Sequence, residues 1–212
     1  LILLQLSLLA IGIRTYSEPL CNGYPLGKKV AIVPVYNEDL GRFREVISNL
    51  ISTFDRVIVV GDGVDEPYRS ISEVLGAEFY SIPKGGKRRA LEFGISKLED
   101  EEFVALVDSD TVVPKETVRK ALAVLGCGYD SVTVRVRVEK RNALGRLAEM
   151  YETYKDLIAR AFAGFGKVLV LNGQFSVYKA DALKRIAVGL SERRVLGKPV
   201  ILGDDKELTS RF

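Results

Sequence analysis

Short apolar runs alternate with stretches whose apolar side chains return every three or four positions. Residues 29–36 (KVAIVPVY), 56–60 (RVIVV) and 103–107 (FVALV) are Val/Ile-rich and short, the pattern of strands buried on both faces. A further strand is predicted near residues 78–82. Between these runs, residues 38–53 place Leu40, Phe43, Val46, Ile47, Leu50 and Ile51 at helical spacing. Helices are also predicted near residues 66–75 and 86–98. Such alternation predicts an α/β domain with a mostly parallel sheet flanked by helices.

The second half changes period. Residues 131–138 (SVTVRVRV) alternate strictly, with valines on one face and Thr133, Arg135 and Arg137 on the other, as in a half-exposed strand. Asn142 is placed to cap a long helix with an apolar stripe of Leu144, Leu147, Tyr151, Tyr154, Ile158, Ala161 and Phe165. That stripe is expected to pack on its own domain. Residues 168–178 return to strand, and a last helix starts at 204.

The first 13 residues (LILLQLSLLAIGI) carry no charge. They are too few to cross a bilayer, which takes about 20. Because the run opens on Leu, it reads as the end of a longer transmembrane helix. It lacks the charged leader and cleavage site of a signal peptide, and a buried core helix is the other alternative. Arg14, Lys28 and Lys29 follow it, which by the positive-inside rule places the remainder on the cytoplasmic side of a cell membrane. Residues 14–28 then form a linker and 29–212 a single domain.

Composition narrows the chemistry. With 47% hydrophobic and 28% charged residues, the 212-residue chain is globular. A net charge of +3 without a basic, aromatic-studded stripe excludes nucleic acid as the main partner. There is no histidine, which removes zinc sites of the Cys/His kind and triads with a histidine base. Cys21 and Cys127 lie far apart in no metal-binding pattern and are expected to be reduced.

In open α/β sheets, ligands bind at the carboxyl ends of the strands. There the polar residues gather: Pro34 to Glu38 after the first strand, Gly61-Asp62-Gly63 after the second, Asp108-Ser109-Asp110 after the fourth. Two carboxylates one residue apart repel, and a hard divalent cation shared with substrate phosphates compensates them. Lys84-Gly85-Gly86-Lys87-Arg88-Arg89 supplies the opposite charge at a helix start, where anions are favoured. Gly203-Asp204-Asp205 opens the last helix, either as a cap or as a carboxylate able to take a proton from a hydroxyl.

VPVYNE, the Gly-Asp-Gly, KGGKRRAL, VDSDT and GDDKELT, in that order, resemble the inverting family 2 glycosyltransferases of the GT-A fold. VDSDT followed by RVEKRN, NGQFSVYK, LGKPV and GDDKELT is similar to hyaluronan synthases, with chitin synthases and rhizobial chito-oligosaccharide synthases close by. The resemblance covers about residues 30–212. It implies a UDP-sugar donor, a carbohydrate acceptor, Mg²⁺ or Mn²⁺ as cofactor, and a membrane-attached enzyme.

By position, the resemblance implies that Pro34, Tyr36 and Glu38 border the nucleoside and that Asp62 contacts uracil or ribose. Lys87 and Arg88 face the base or diphosphate, Asp108 binds the nucleotide-sugar and Asp110 ligates the metal. Asp205 is the general base, and Asn172, Gly173, Gln174 and Asp204 line the acceptor side. Gly61 departs from the family's Asp-Asp-Gly, and Asn172 and Gln174 from its Ser-Gly-Pro. In processive synthases a Gln-x-x-Arg-Trp motif and further transmembrane helices are expected after the positions that this resemblance covers. A non-processive transferase acting on a lipid-linked acceptor and a degenerate nucleotide-sugar-binding module remain as alternatives.

Overall fold

The computed structural model describes residues 2–19, 21, 23, 27–139, 142–192, 194, 195, 198, 199 and 203–211. Six strands form one sheet: β1 (Lys29–Val35), β2 (Arg56–Asp62), β3 (Glu78–Ile82), β4 (Phe103–Val107), β5 (Ser131–Thr133) and β6 (Phe175–Lys179). Their spatial order is β3-β2-β1-β4-β6-β5. The first four are mutually parallel, while β6 runs antiparallel to β4 and to β5.

Alternate side chains of the central strands feed two cores. Ala31, Val33 and Val35 join Phe103, Ala105 and Val107 beneath α2 (Leu40–Ile51), α3 (Tyr68–Leu75) and α5 (Lys115–Gly126). Val30 and Ile32 join Ile58, Val60, Val104 and Leu106 beneath α4 (Lys87–Ser96) and α7 (Ala180–Ala187). This is a parallel sheet buried on both faces, which is why its strands read as unbroken apolar runs.

The second half differs in detail from its pattern. α5 and α7 are additional to the predicted elements. The strand at 131 stops at Thr133, with Ser131 to Thr133 paired to Tyr178 to Ser176 of β6. Residues 168–174, expected as strand, form a loop ahead of β6. A two-stranded antiparallel pair, β7 (Arg194–Val195) and β8 (Lys198–Pro199), precedes α8 (Asp204–Arg211).

Two helices stand outside the three layers. α6 (Ala143–Gly164) is capped by Asn142, whose Oδ1 accepts from the Gly145 amide at 2.8 Å. It packs against α1 (Ile2–Thr15), and Gly12 meets Gly164 so closely that a methyl on either would collide with the other helix's backbone. Contrary to expectation, the α6 stripe does not pack on the domain. Leu144, Leu147, Tyr151 and Tyr154 are 60–76% exposed. Among the described residues no helix is long and apolar enough to cross a membrane. The cysteines also depart from expectation: the linker passes the end of α5, and Cys21 and Cys127 form a disulfide with Cα atoms 6.2 Å apart.

Candidate active site

The crevice begins where two neighbouring strands part. β1 pairs with β4 only through Ile32–Leu106, whereas its pairing with β2 continues to Val35. Pro34 has no N–H to offer a second neighbour, so the ladder toward β4 cannot extend through it. The strand order also reverses between β1 and β4, and a crevice at such a switch point is where open α/β sheets hold ligands.

The ends of β1 and β2 make one wall. Asp62 is only 6% exposed, and its carboxylate accepts from the amides of Gly85 (2.6 Å) and Gly86 (3.0 Å). It therefore holds the glycine turn that launches α4. Gly86 has φ +88°, a left-handed value that a side chain would strain. Gly61, where the family has Asp, is explained by space: a Cβ there would lie 2.4 Å from the Val64 carbonyl oxygen and 2.8 Å from Phe79. Lys84 Nζ donates to the Tyr36 hydroxyl at 2.5 Å and lies 3.9 Å from its ring centroid. Ser109 Oγ donates to Glu38 Oε2 at 3.2 Å, tying the end of β1 to the end of β4.

Just beyond the glycine turn, carboxylates gather around one ammonium. Lys87 Nζ, on the first turn of α4, is 2.6 Å from Asp108 Oδ1 and 3.5 Å from Asp204 Oδ2, and it donates to the Gly173 carbonyl at 3.3 Å. Burial would lower the Lys87 pKa, but Asp108 and Asp204 outweigh it and hold the group above its ordinary value. Asp108 is pushed up by burial; Lys87 opposes the shift, and Asp110 and Asp204 add to it.

Asp205 sits beside this cluster, its Cβ 3.4 Å from where a Gly173 Cβ would stand. The loop before β6 is braced from several sides. Leu171 N donates to Thr209 of α8, Asn172 N to Thr133 of β5, and Gln174 N to Asn172 Oδ1. The Gln174 carbonyl accepts from Asp108 N at 3.0 Å, so the loop ahead of β6 and the Asp-Ser-Asp turn are joined directly. Lys87, Asp108, Asn172, Gly173, Asp204 and Asp205 thus line a single cleft floored by Pro34 and Tyr178.

Among the described residues no three His, Cys, Asp or Glu side chains converge as a ready-made metal cage. The donor set fits a different arrangement. Asp108 carries an electrostatic penalty from Asp110 and Asp204, and Asp110, at the exposed edge, accepts only from the adjacent Thr111 hydroxyl among its described side-chain contacts. Hard oxygens supplied by one or two carboxylates and completed by substrate phosphates are the usual surroundings of Mg²⁺.

Arg88 is placed differently from its neighbour. Its side chain is 4% exposed and forms an ion pair with Glu207 of α8, whose side chain is 2% exposed. It does not join the residues lining the cleft. Two positions absent from the sequence-derived set enter the site. Lys84 touches Tyr36, and its signal was present in the basic run itself. Tyr178 is buried against the cleft, with its hydroxyl pKa raised by burial and by Asp204 and Asp205; nothing in an alternating strand marks it as more than core.

A family model described as Glycosyl transferase family 2 matches residues 30–187. Hyaluronan synthase from Streptococcus pyogenes is 25% identical over 232 aligned residues, covering 99% of this chain and 54% of that protein. An N-acetylglucosaminyltransferase from Azorhizobium caulinodans is 25% identical over 205, covering 87% and 50%. The chain thus spans about half the length of the curated relatives it matches. Among solved structures, glucosyl-3-phosphoglycerate synthase from Mycobacterium tuberculosis, crystallised with Mn²⁺, UDP-glucose and phosphoglyceric acid, superposes with TM-score 0.55 at 20% identity, covering 78% of this chain and 64% of that one. A mycobacterial protein gives TM-score 0.56 at 19% identity, covering 81% and 63%. The architecture is that of the GT-A glycosyltransferases.

Proposed function

The chain belongs to glycosyl transferase family 2, and we propose that it transfers a sugar, with inversion, from a UDP-sugar to a hydroxyl of a growing polysaccharide or oligosaccharide. The observation that carries this reading is the Lys87 bridge. One ammonium contacts Asp108 at the end of β4, Asp204 at the start of α8, and the Gly173 carbonyl between them. Donor-side and acceptor-side groups therefore share one cleft, as direct displacement requires.

In this reading Tyr36 and Lys84 border the nucleoside, and Asp62 acts by fixing the glycine turn. Lys87 supplies positive charge to the departing diphosphate. Mg²⁺ or Mn²⁺, held by Asp110 with Asp108, would neutralise the same leaving group when bound. Asp205 accepts the proton of the attacking hydroxyl, and Asn172, Gly173 and Gln174 orient it. The named ligands of the mycobacterial synthase, Mn²⁺ and UDP-glucose, support this donor class, and the names of the curated relatives support sugar transfer.

Attachment to a membrane, with the domain on the cytoplasmic side, is part of the proposal. It is supported by the exposed leucines of α1 and the basic residues that follow. The Cys21–Cys127 disulfide weighs against a reducing compartment. Thiol counting on protein alkylated in intact cells decides the side.

UDP is expected to bind in millimolar Mg²⁺ or Mn²⁺ and much more weakly in EDTA, as read by calorimetry. Asp110→Asn should remove the metal-dependent part. In the full-length protein, Asp205→Asn should keep donor affinity while lowering the transfer rate by about 10²–10⁴. Equal UDP affinity with and without metal, or normal turnover by Asp205→Asn, would overturn the respective assignment.

A further inference from the structure

We propose that Arg88 and Glu207 are positioning residues: their buried ion pair sets the rotation and depth of α8, and so places Asp205 against the acceptor loop. The inference rests on the reading of Asp205 as the base.

The geometry comes from two helix starts that meet twice. Lys87 and Arg88 are consecutive on α4, and consecutive helical side chains point about 100° apart, as 3.6 residues per turn require. Lys87 enters the cleft and reaches Asp204; Arg88 reaches Glu207 behind it. The same two helices are thus joined twice, by one charge pair within the cleft and by a more deeply buried one behind it.

Glu207 is held from both ends. Its Oε2 accepts from Arg88 and its Oε1 from Arg211 at 2.5 Å. Arg211 in turn donates to the carbonyls of Ile186 and Val188, each at 2.7 Å, and Arg88 to that of Leu190 at 3.3 Å. Both arginines thereby fasten α8 to the segment that leaves α7. The Glu207 carboxyl is opposed by burial but held below its ordinary value by Arg88 and Arg211, so it stays charged.

A buried ion pair is weak evidence for stability, since well-packed apolar side chains often serve as well. What it does better is fix direction: a carboxylate gripped by two guanidinium groups admits one orientation of the helix that carries it. Asp205 lies two residues before Glu207 on that helix, and Thr209, two residues after, receives the Leu171 amide of the acceptor loop. A base must come within hydrogen-bond reach of the proton it takes, and misplacement by about 1 Å can cost about 10² in rate. Turning α8 would move Asp205 and the loop together.

The test uses the full-length protein with Mg²⁺, UDP for binding, and whichever UDP-sugar the wild type turns over fastest. Glu207→Gln is expected to lower kcat at least tenfold, with UDP affinity and donor KM within about twofold of wild type, at a temperature where circular dichroism shows it folded. Should that variant not fold, the double variant Arg88→Met with Glu207→Leu keeps the bulk without charge and should show the same split. Wild-type kcat in either folded variant, with Asp205→Asn inactive, overturns the positioning role alone. A UDP affinity that falls as far as kcat also overturns it, by assigning the pair to the donor site. Normal turnover by Asp205→Asn overturns the base assignment and the inference with it.

Discussion

At Gly61 the family's usual aspartate has no room, because the carbonyl oxygen of Val64 occupies the space a Cβ would need. The next residue, Asp62, is the one that works: it accepts two amides of the glycine turn and so sets where Lys84 and Lys87 begin. Restoring the family residue should therefore harm the protein. Gly61→Asp is expected to lower unfolding free energy by about 1–3 kcal/mol, the usual cost of forcing atoms into a packed site, and not to tighten UDP binding. Urea denaturation and calorimetry on the same preparation check both halves; a stable variant with improved affinity would show that the turn can relax. Most of this site was legible as polar residues at strand ends, since only the ends of apolar strands leave side chains for a ligand. What was not legible is rotation. Lys87 and Arg88 look equivalent in the sequence, and only the phase of α4 against α8 assigns one to the cleft and the other to the interior.

Among elements, the edge of the sheet opposite the crevice is tied by Arg56. Its guanidinium bonds Glu78 of β3 through Nε (2.5 Å) and Glu101, just before β4, through Nη1 (2.7 Å). Arg56 holds the Glu78 carboxyl below its ordinary value. For Glu101, burial pushes upward, but Arg56 and the amides of Glu99 and Glu101 outweigh it. Carboxyls with lowered folded pKa contribute stability that is full above about pH 4.5 and is lost as pH falls through the folded values. Arg56→Met should accordingly cost about 3–5 kcal/mol at pH 7, because Glu101, with a side chain 5% exposed, would be left buried and charged. The difference from wild type should shrink steadily below pH 4 in chemical denaturation; a gap independent of pH would mean that Arg56 acts through packing. The parallel strands were readable because burial on both faces leaves an unbroken apolar run. β5 was readable only in part, because alternation marks a two-faced strand but does not say how many of its residues pair.

At the scale of the molecule, the three layers are closed and the α1–α6 pair is not. Leu3, Leu4, Leu6, Leu8 and Ile11 on α1, with Leu144, Leu147, Met150, Tyr151 and Tyr154 on α6, are 47–80% exposed. So much apolar surface in one place marks a site of contact, since soluble domains rarely leave large contiguous patches bare. A lipid surface fits the chemistry. Tyrosines belong at the headgroup level, and Arg14 and Lys167 are exposed at the end where Thr15 meets the Gly164 carbonyl. The pair is then expected to meet that surface through its bare apolar side chains. The purified chain should co-sediment with vesicles containing anionic lipid, and Leu147→Glu with Tyr151→Glu should weaken that partition at least tenfold, since each buried apolar side chain contributes about 1.5–3 kcal/mol. UDP binding in Mg²⁺ should not change, because neither residue lines the cleft. Raising salt should weaken the binding only in part, leaving the apolar share intact. Wild-type protein that ignores vesicles and instead elutes as a dimer, with the double variant monomeric, would show that this face meets a second copy and not a bilayer.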